Sequence, residues 1–390
     1  MSDCNVRAPQ AAVAAALIAT MASLPAVTTP AYAGARIPCR GKALVSAISA
    51  ANAAGGGTLR LAAHCTYTLY KAASGENGLP LITSRITLEG KRTTIRRAPS
   101  ATTDFRIAEV ATGGRLTLRS VTLTSGRVAD DGGAILVDNG GTLITRDSVI
   151  RGNTVTGDHS GGGISVRSGG TAVIASSSVW DNHAGTTGFA SGGGIDSSGS
   201  LTVTKTTVRS NTAEFGAGID VESGTGRISG TDITRNTAGQ LGGGAEFDSG
   251  TTTLGASVVA DNLARVRGAG GLYNHGSLTV TGTKVIRNTT SGPGAVGGGV
   301  YNDIGSTLNV SHSRISANQA QMSGAFAGGL YNNGGTVSLR RTTIFRNSST
   351  IAPGGVWTNT QFIDTTGTAI FDNRPTNCAG SPVIPPGCQG

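Results

Sequence analysis

The chain has 390 residues and a formal charge of +9, yet only 14% of it is charged and 4% aromatic. Its cations are overwhelmingly arginine and are scattered, with five lysines (Lys42, Lys71, Lys91, Lys205 and Lys284) and neither a dense basic run nor a nucleic-acid motif. That pattern argues against nucleic acid as the partner and favours anionic glycans or cell-wall polymers.

The first 33 residues read as an export leader: Arg7 precedes an apolar run from Ala11 to Ala22, and Ala31-Tyr32-Ala33 is an A-x-A cleavage site. The mature chain is expected to start near Gly34, and because Asp3 and Arg7 cancel it keeps the charge of +9. The run is short and broken by Pro25 and Pro30, so no transmembrane segment is expected after cleavage, and a secreted or cell-surface location follows. With Cys4 removed, Cys39, Cys65, Cys378 and Cys388 remain, two near each end. The ends of a stacked cylinder lie far apart, so Cys39–Cys65 and Cys378–Cys388 are the pairings expected in an oxidising compartment.

Residues 42–54 are the one convincing helix, with Leu44, Ala47, Ile48 and Ala51 on one side and Gly55-Gly56-Gly57 as its stop. Residues 34–57 are read as a capping segment, 58–127 as irregular early coils, 128–373 as regular coils and 374–390 as a C-terminal cap, all one body after the leader. In the regular part a unit recurs nine times: a glycine pair, an aliphatic residue, short Thr/Val-rich strands, then Asn. The aliphatic position falls at Ile135, Ile164, Ile195, Ile219, Ala245, Leu272, Val300, Leu330 and Val356, in steps of 24 to 31 residues by subtraction. The Asn falls at Asn153, Asn182, Asn211, Asn236, Asn262, Asn288, Asn318, Asn347 and Asn373. Such a unit cannot bury an apolar face alone and must stack on its neighbours. Three short strands per turn predict an all-β, right-handed parallel β-helix of roughly a dozen coils, each rising about 4.8 Å. In this arrangement the Asn residues stack into a structural amide ladder, and the glycine pair supplies positive φ at the corner.

Strand alternation then places the residue after each aliphatic position on the outside: Asp196, Asp220 and Glu246 on consecutive coils, followed by Tyr273, Tyr301, Tyr331 and Trp357. Two places further along the strands, Glu222 and Asp248 extend the acidic patch. The patch could hold calcium, share a proton or lie splayed in water. Were it catalytic, Asp196, Asp220 and Glu246 would be the candidates, with a spacing near that of an inverting glycosidase. The aromatic row could stack on sugar rings or form a ladder that stabilises the sheet.

GGAI at 132–135, GGLY at 270–273 and 328–331, and VVADN at 258–262 resemble the repeats of polymorphic outer membrane proteins. The opening from Cys39 through ALVSAISAANAAGGGTLRLAAHCTYTL is similar to the start of secreted right-handed β-helix repeat proteins of actinobacteria, in which a cysteine pair brackets a capping helix. The resemblance implies the fold and an extracellular setting. Polymorphic outer membrane proteins are adhesins that end in a membrane barrel, and barrel strands are missing up to Gly390. The expected function is non-enzymatic binding of polysaccharide or cell-wall polymer, or adhesion, by a monomer. The alternative is a lyase or hydrolase acting on acidic polysaccharide. The Asn-Thr-Asp, Gly-His-Gly and Arg-Ile-Lys motifs of polygalacturonases are absent, and Asp130-Asp131 alone matches their Asp-Asp element. His64, His159, His183, His275 and His312 form no spaced metal set.

Overall fold

The computed structural model describes residues 36–185, 188–362 and 364–390; the leader, with Cys4, lies outside them. The chain winds as a parallel β-solenoid of about 12 turns. One coil shows the plan. Strand Ile195–Ser197 builds face C, Ser200–Thr204 builds face A and Thr207–Arg209 builds face B. Faces A and B share a 22-stranded sheet, whereas face C is a separate 10-stranded sheet. Each residue pairs in parallel with its equivalent one coil on, so Ile195 lies beside both Ile164 and Ile219. The aliphatic side chains Ile195, Leu201, Val203 and Val208 all point into the shaft and are buried, as are Ile219, Ile228 and Ile233 of the next coil. Each such side chain contributes about 1.5–3 kcal/mol over an exposed one.

The corners carry the order. At the turn between face B and the next segment, the residue before each Asn adopts a left-handed φ: Asp181 (56°), Ser210 (54°), Arg235 (56°), Asp261 (58°) and Arg287 (54°). That conformation aims the following Asn inward. Asn211 Nδ2 donates to Asn236 Oδ1 at 3.0 Å and to the Val179 carbonyl at 3.1 Å, and the same pattern joins Asn236 to Asn262 and Asn262 to Asn288. The column continues without a break from Asn153 to Asn373, where Asn377 accepts the last amide. Among these residues before the Asn column, Asp261 and Arg287 of neighbouring coils form an ion pair at 2.8 Å.

The A–B corner holds a second column that the repeat pattern did not reveal. Left-handed residues such as Ser176 and Lys205 precede a buried hydroxyl, and the backbone N–H of one coil donates to the hydroxyl of the next: Ser148 to Ser177, Thr231 to Ser257, Thr283 to Ser313.

The glycine pairs act differently from expectation. Positive φ sits three residues before the aliphatic position, at Gly132, Gly161, Gly192, Gly216, Gly242 and Gly297, with Ala269 and Ala327 adopting it in other coils. The pair itself is required for close approach: a Cβ on Gly194 would lie 2.5 Å from the Gly218 carbonyl oxygen and 2.9 Å from Asn211 Nδ2. The glycines therefore make room for the Asn column.

Helix α1 (Gly41–Ala53) buries Leu44, Ala47, Ile48 and Ala51 over the first coils, closing the open end of the core. Asn52 ties its end down, donating to the Leu81 carbonyl at 2.7 Å and accepting from the Thr83 N–H at 3.1 Å. Disulfides join Cys39 to Cys65 and Cys378 to Cys388. Among the described residues, no helix is long and apolar enough to cross a membrane.

Candidate functional site

The outward column of face C contains the residues singled out from the sequence, in register: Ser165 beside Asp196, Asp196 beside Asp220, Asp220 beside Glu246, then Glu246, Tyr273, Tyr301, Tyr331 and Trp357. They point away from the shaft, but the carboxylates do not meet solvent. Asp196, Asp220 and Glu246 are 5%, 1% and 4% exposed. The reason is the segment that leads into each glycine pair, which folds back across the outside of the strand. A Cβ on Gly192 would sit 2.5 Å from that of Asp196, and one on Gly216 would sit 2.8 Å from that of Asp220. Alternation along a strand reports only which side of the sheet a residue takes. It carries no information about a second layer laid over that side.

Inside this layer the three carboxyls form a single file. Ser165 Oγ donates to Asp196 Oδ2 at 2.9 Å, and the Gly216 N–H donates to Glu246 Oε2 at 3.0 Å. Among the described residues, Asp196 Oδ1 and Asp220 Oδ1 find no hydrogen-bond partner. Burial, followed by the neighbouring acids, pushes all three carboxyls well above the usual carboxylate range: Glu222 acts on Asp196, Glu246 on Asp220, and Asp248 on Glu246. Burial raises Asp248 as well. The column is thus built to hold protons. Members one coil apart are separated by about 4.8 Å at the backbone, so the outer two stand two strand spacings apart instead of converging on one ion. Among the described residues, the acidic or histidine set whose ligand atoms lie within 4.8 Å of one another is Asp130, Asp131 and His159.

That set belongs to an ion network which the Asp-Asp dipeptide did not disclose. The Arg106 side chain, 2% exposed, reaches Asp130, Glu109 (3.2 Å) and Asn77 Oδ1 (3.0 Å). Arg167 reaches Asp130 at 3.4 Å, Asp131 at 3.6 Å and Asp138 at 3.0 Å. Burial would raise Asp130, but the Asp131 backbone N–H and the two guanidiniums outweigh it and hold the carboxylate below its ordinary value. These acids are neutralised by cations that pin neighbouring coils together.

The aromatic half of the column has a different surface. Tyr273 is buried and its hydroxyl donates to Asp303 Oδ2 at 2.7 Å. Asp303 also accepts from the Ile304 N–H at 2.8 Å and from Asn333 Nδ2 at 3.2 Å, and contacts His275 Nδ1 at 3.2 Å. Burial alone would raise Asp303; these donors leave it below the usual range. Tyr273 and Tyr301, and Tyr301 and Tyr331, meet edge to face with centroids 5.1 and 4.8 Å apart, while Tyr331 and Trp357 stack at 4.6 Å. Burial, with Asp303 nearby, pushes the Tyr301 hydroxyl up to about 12. The row therefore satisfies itself as a ladder, and it is also open. Tyr301, Tyr331 and Trp357 are partly exposed, and a cleft of about 520 Å³ lies over the first two, walled by Val266, Arg267 and Phe326. Phe326, absent from the sequence-based candidates, packs on both Tyr331 (5.5 Å) and Trp357 (5.6 Å). It stands four residues before the aliphatic position and bridges Val296 of the preceding coil in parallel, but the residue type at that place changes from coil to coil (Leu241, Gly268, Val296, Phe326), so the repeat pattern did not single it out.

No curated protein matches the chain as a whole. Residues 104–283 match the sequence model of a family described as right handed beta helix region, and these residues lie in the continuous parallel solenoid seen here. The chain has the fold of a right-handed parallel β-helix.

Proposed function

We propose that this is a secreted or cell-surface β-helix that binds polysaccharide or cell-wall polymer without turning it over, and that the cleft lined by Tyr301, Tyr331 and Phe326, with the partly exposed Trp357 stacked on Tyr331 beside it, holds the sugar rings. The observation that carries the reading is this open aromatic cleft on an otherwise covered column. Sugar rings present apolar C–H faces that pack on aromatic rings, and a linear polymer lying along the solenoid would meet one ring per coil. Two disulfides and the leader sequence support an oxidising, extracellular setting. Burial of Asp196, Asp220 and Glu246 weighs against the lyase or hydrolase alternative, since a catalytic acid or base must reach the proton it moves.

The test is affinity electrophoresis of the oxidised mature protein in gels cast with neutral polysaccharides. At roughly 1 kcal/mol per lost ring contact, Y301A/Y331A should bind about tenfold or more weakly. Unchanged mobility of both proteins across the panel would overturn the reading. The same polymers, incubated with the protein, should gain no new reducing ends.

A further inference from the structure

The solenoid segregates charge in a way that the net figure conceals. The carboxyl-bearing outward column, Glu109, Asp196, Asp220 and Glu246, lies on face C. The first coils of face A are lined instead by arginines in register. At the start of the strands Arg85 lies directly beside Arg115. At their ends Arg60, Glu89, Arg119 and Arg146 follow one another on successive coils. All the arginines in this set are exposed. Glu89 serves two of them, at 3.9 Å from Arg60 and 3.0 Å from Arg119. Among the described residues, Arg85, Arg115 and Arg146 take part in no ion pair.

Like charges directly opposite one another on neighbouring strands destabilise a sheet. Arg85 against Arg115 and Arg119 against Arg146 are two such pairs on one flat, open face. We infer that this face is a docking surface for a linear polysaccharide carrying an anionic group on each sugar, laid along the solenoid axis. The axial repeat of the arginines, about 4.8 Å per coil, is close to the length of one sugar residue, so successive anions meet successive coils. Guanidinium is also the cation suited to bidentate capture of carboxylate or phosphate oxygens. A nucleic-acid strand fits less well. Single strands are held by aromatic platforms beside the cations, and the residues that line this face between the arginines are threonines such as Thr87 and Thr117. The surface is separate from the aromatic cleft and does not depend on it.

The test compares the parent with two charge-matched variants in polygalacturonate gels containing EDTA, at rising NaCl. R85Q/R115Q/R119Q/R146Q empties the face, whereas R314Q/R340Q/R341Q/R346Q removes as many charges from the last coils. The parent should be retained in a salt-dependent way, the first variant about tenfold less, and the second close to the parent; Y301A/Y331A should leave this retention unchanged. Equal losses in both quadruple variants would reduce the effect to net charge and overturn the assignment, as would absence of retention of the parent. Equal or tighter binding of a single-stranded oligodeoxynucleotide of matched charge would overturn the choice of partner. Without polymer, R85Q/R115Q, which loses a repelling pair and no ion pair, should melt no lower than the parent; a lower melting temperature would refute the repulsion on which the inference rests.

Discussion

Two of the buried polar columns of this solenoid differ in chemistry, the asparagines at the corner after face B and the carboxyls on the outside of face C. Both stack one residue per coil. An amide carries donors and acceptors, so each Asn satisfies the next and the column closes on itself. A carboxylate only accepts, so stacked carboxylates leave lone pairs facing one another, and Asp196 and Asp220 each keep an oxygen without a partner. The same geometry therefore gives a self-consistent ladder with one chemistry and a proton-holding column with the other.

The largest effect should come from breaking the ladder. Asn236→Leu removes the acceptor for the Asn211 N–H and Nδ2 and the donor to Asn262 Oδ1. Several buried groups would lose their partners, so a loss of about 3 kcal/mol or more is expected in chemical denaturation. If Asn236→Leu melts like the parent, the ladder is ornament.

The carboxyl column should instead respond to pH. Its folded-state pKa values lie above those of the unfolded chain, so the folded protein binds more protons once pH exceeds the ordinary carboxylate range near 4. The stabilisation is complete below that range and is lost progressively as pH rises from there through the folded-state values. Melting temperature should fall between mildly acidic and mildly alkaline buffer. Asp220→Asn gives the column an amide, and should raise the melting temperature by a few degrees at pH 8 while changing it little at pH 4. A parent protein that melts higher at alkaline pH would contradict the protonated column. The smallest effect is expected for Ser165→Ala, which removes the one hydroxyl donor to Asp196. About 1 kcal/mol of stability should be lost at neutral pH, with a steeper dependence on pH because a contact that favours the charged form has gone.

Particular residues show how far the sequence could be read. The helix over Leu44, Ala47, Ile48 and Ala51 was legible because its 3.6-residue spacing is a local property. The coil period was legible because each coil repeats the same inward aliphatics, and register then follows from burying them. The hydroxyl column at Ser177 and Thr206 escaped notice because Ser and Thr are common in every strand and only the left-handed corner before them makes those positions special. Arg106 and Asn77 lie in the early coils outside the regular repeats, and Phe326 stands at a repeated position whose residue type changes from coil to coil, so no recurring residue signals a role.

By itself, the sequence determined the all-β parallel solenoid and the identity of the side chains that share each column, because periodic burial leaves a repeating chain one way to stack. Only the tertiary structure decided what covers each column. The segments before the glycines close over Asp196, Asp220 and Glu246 yet leave an opening above Tyr301 and Tyr331, and face A keeps its arginines bare. Solvent access depends on which loop happens to lie on a face, and that is a contact between parts of the chain that no single repeat encodes.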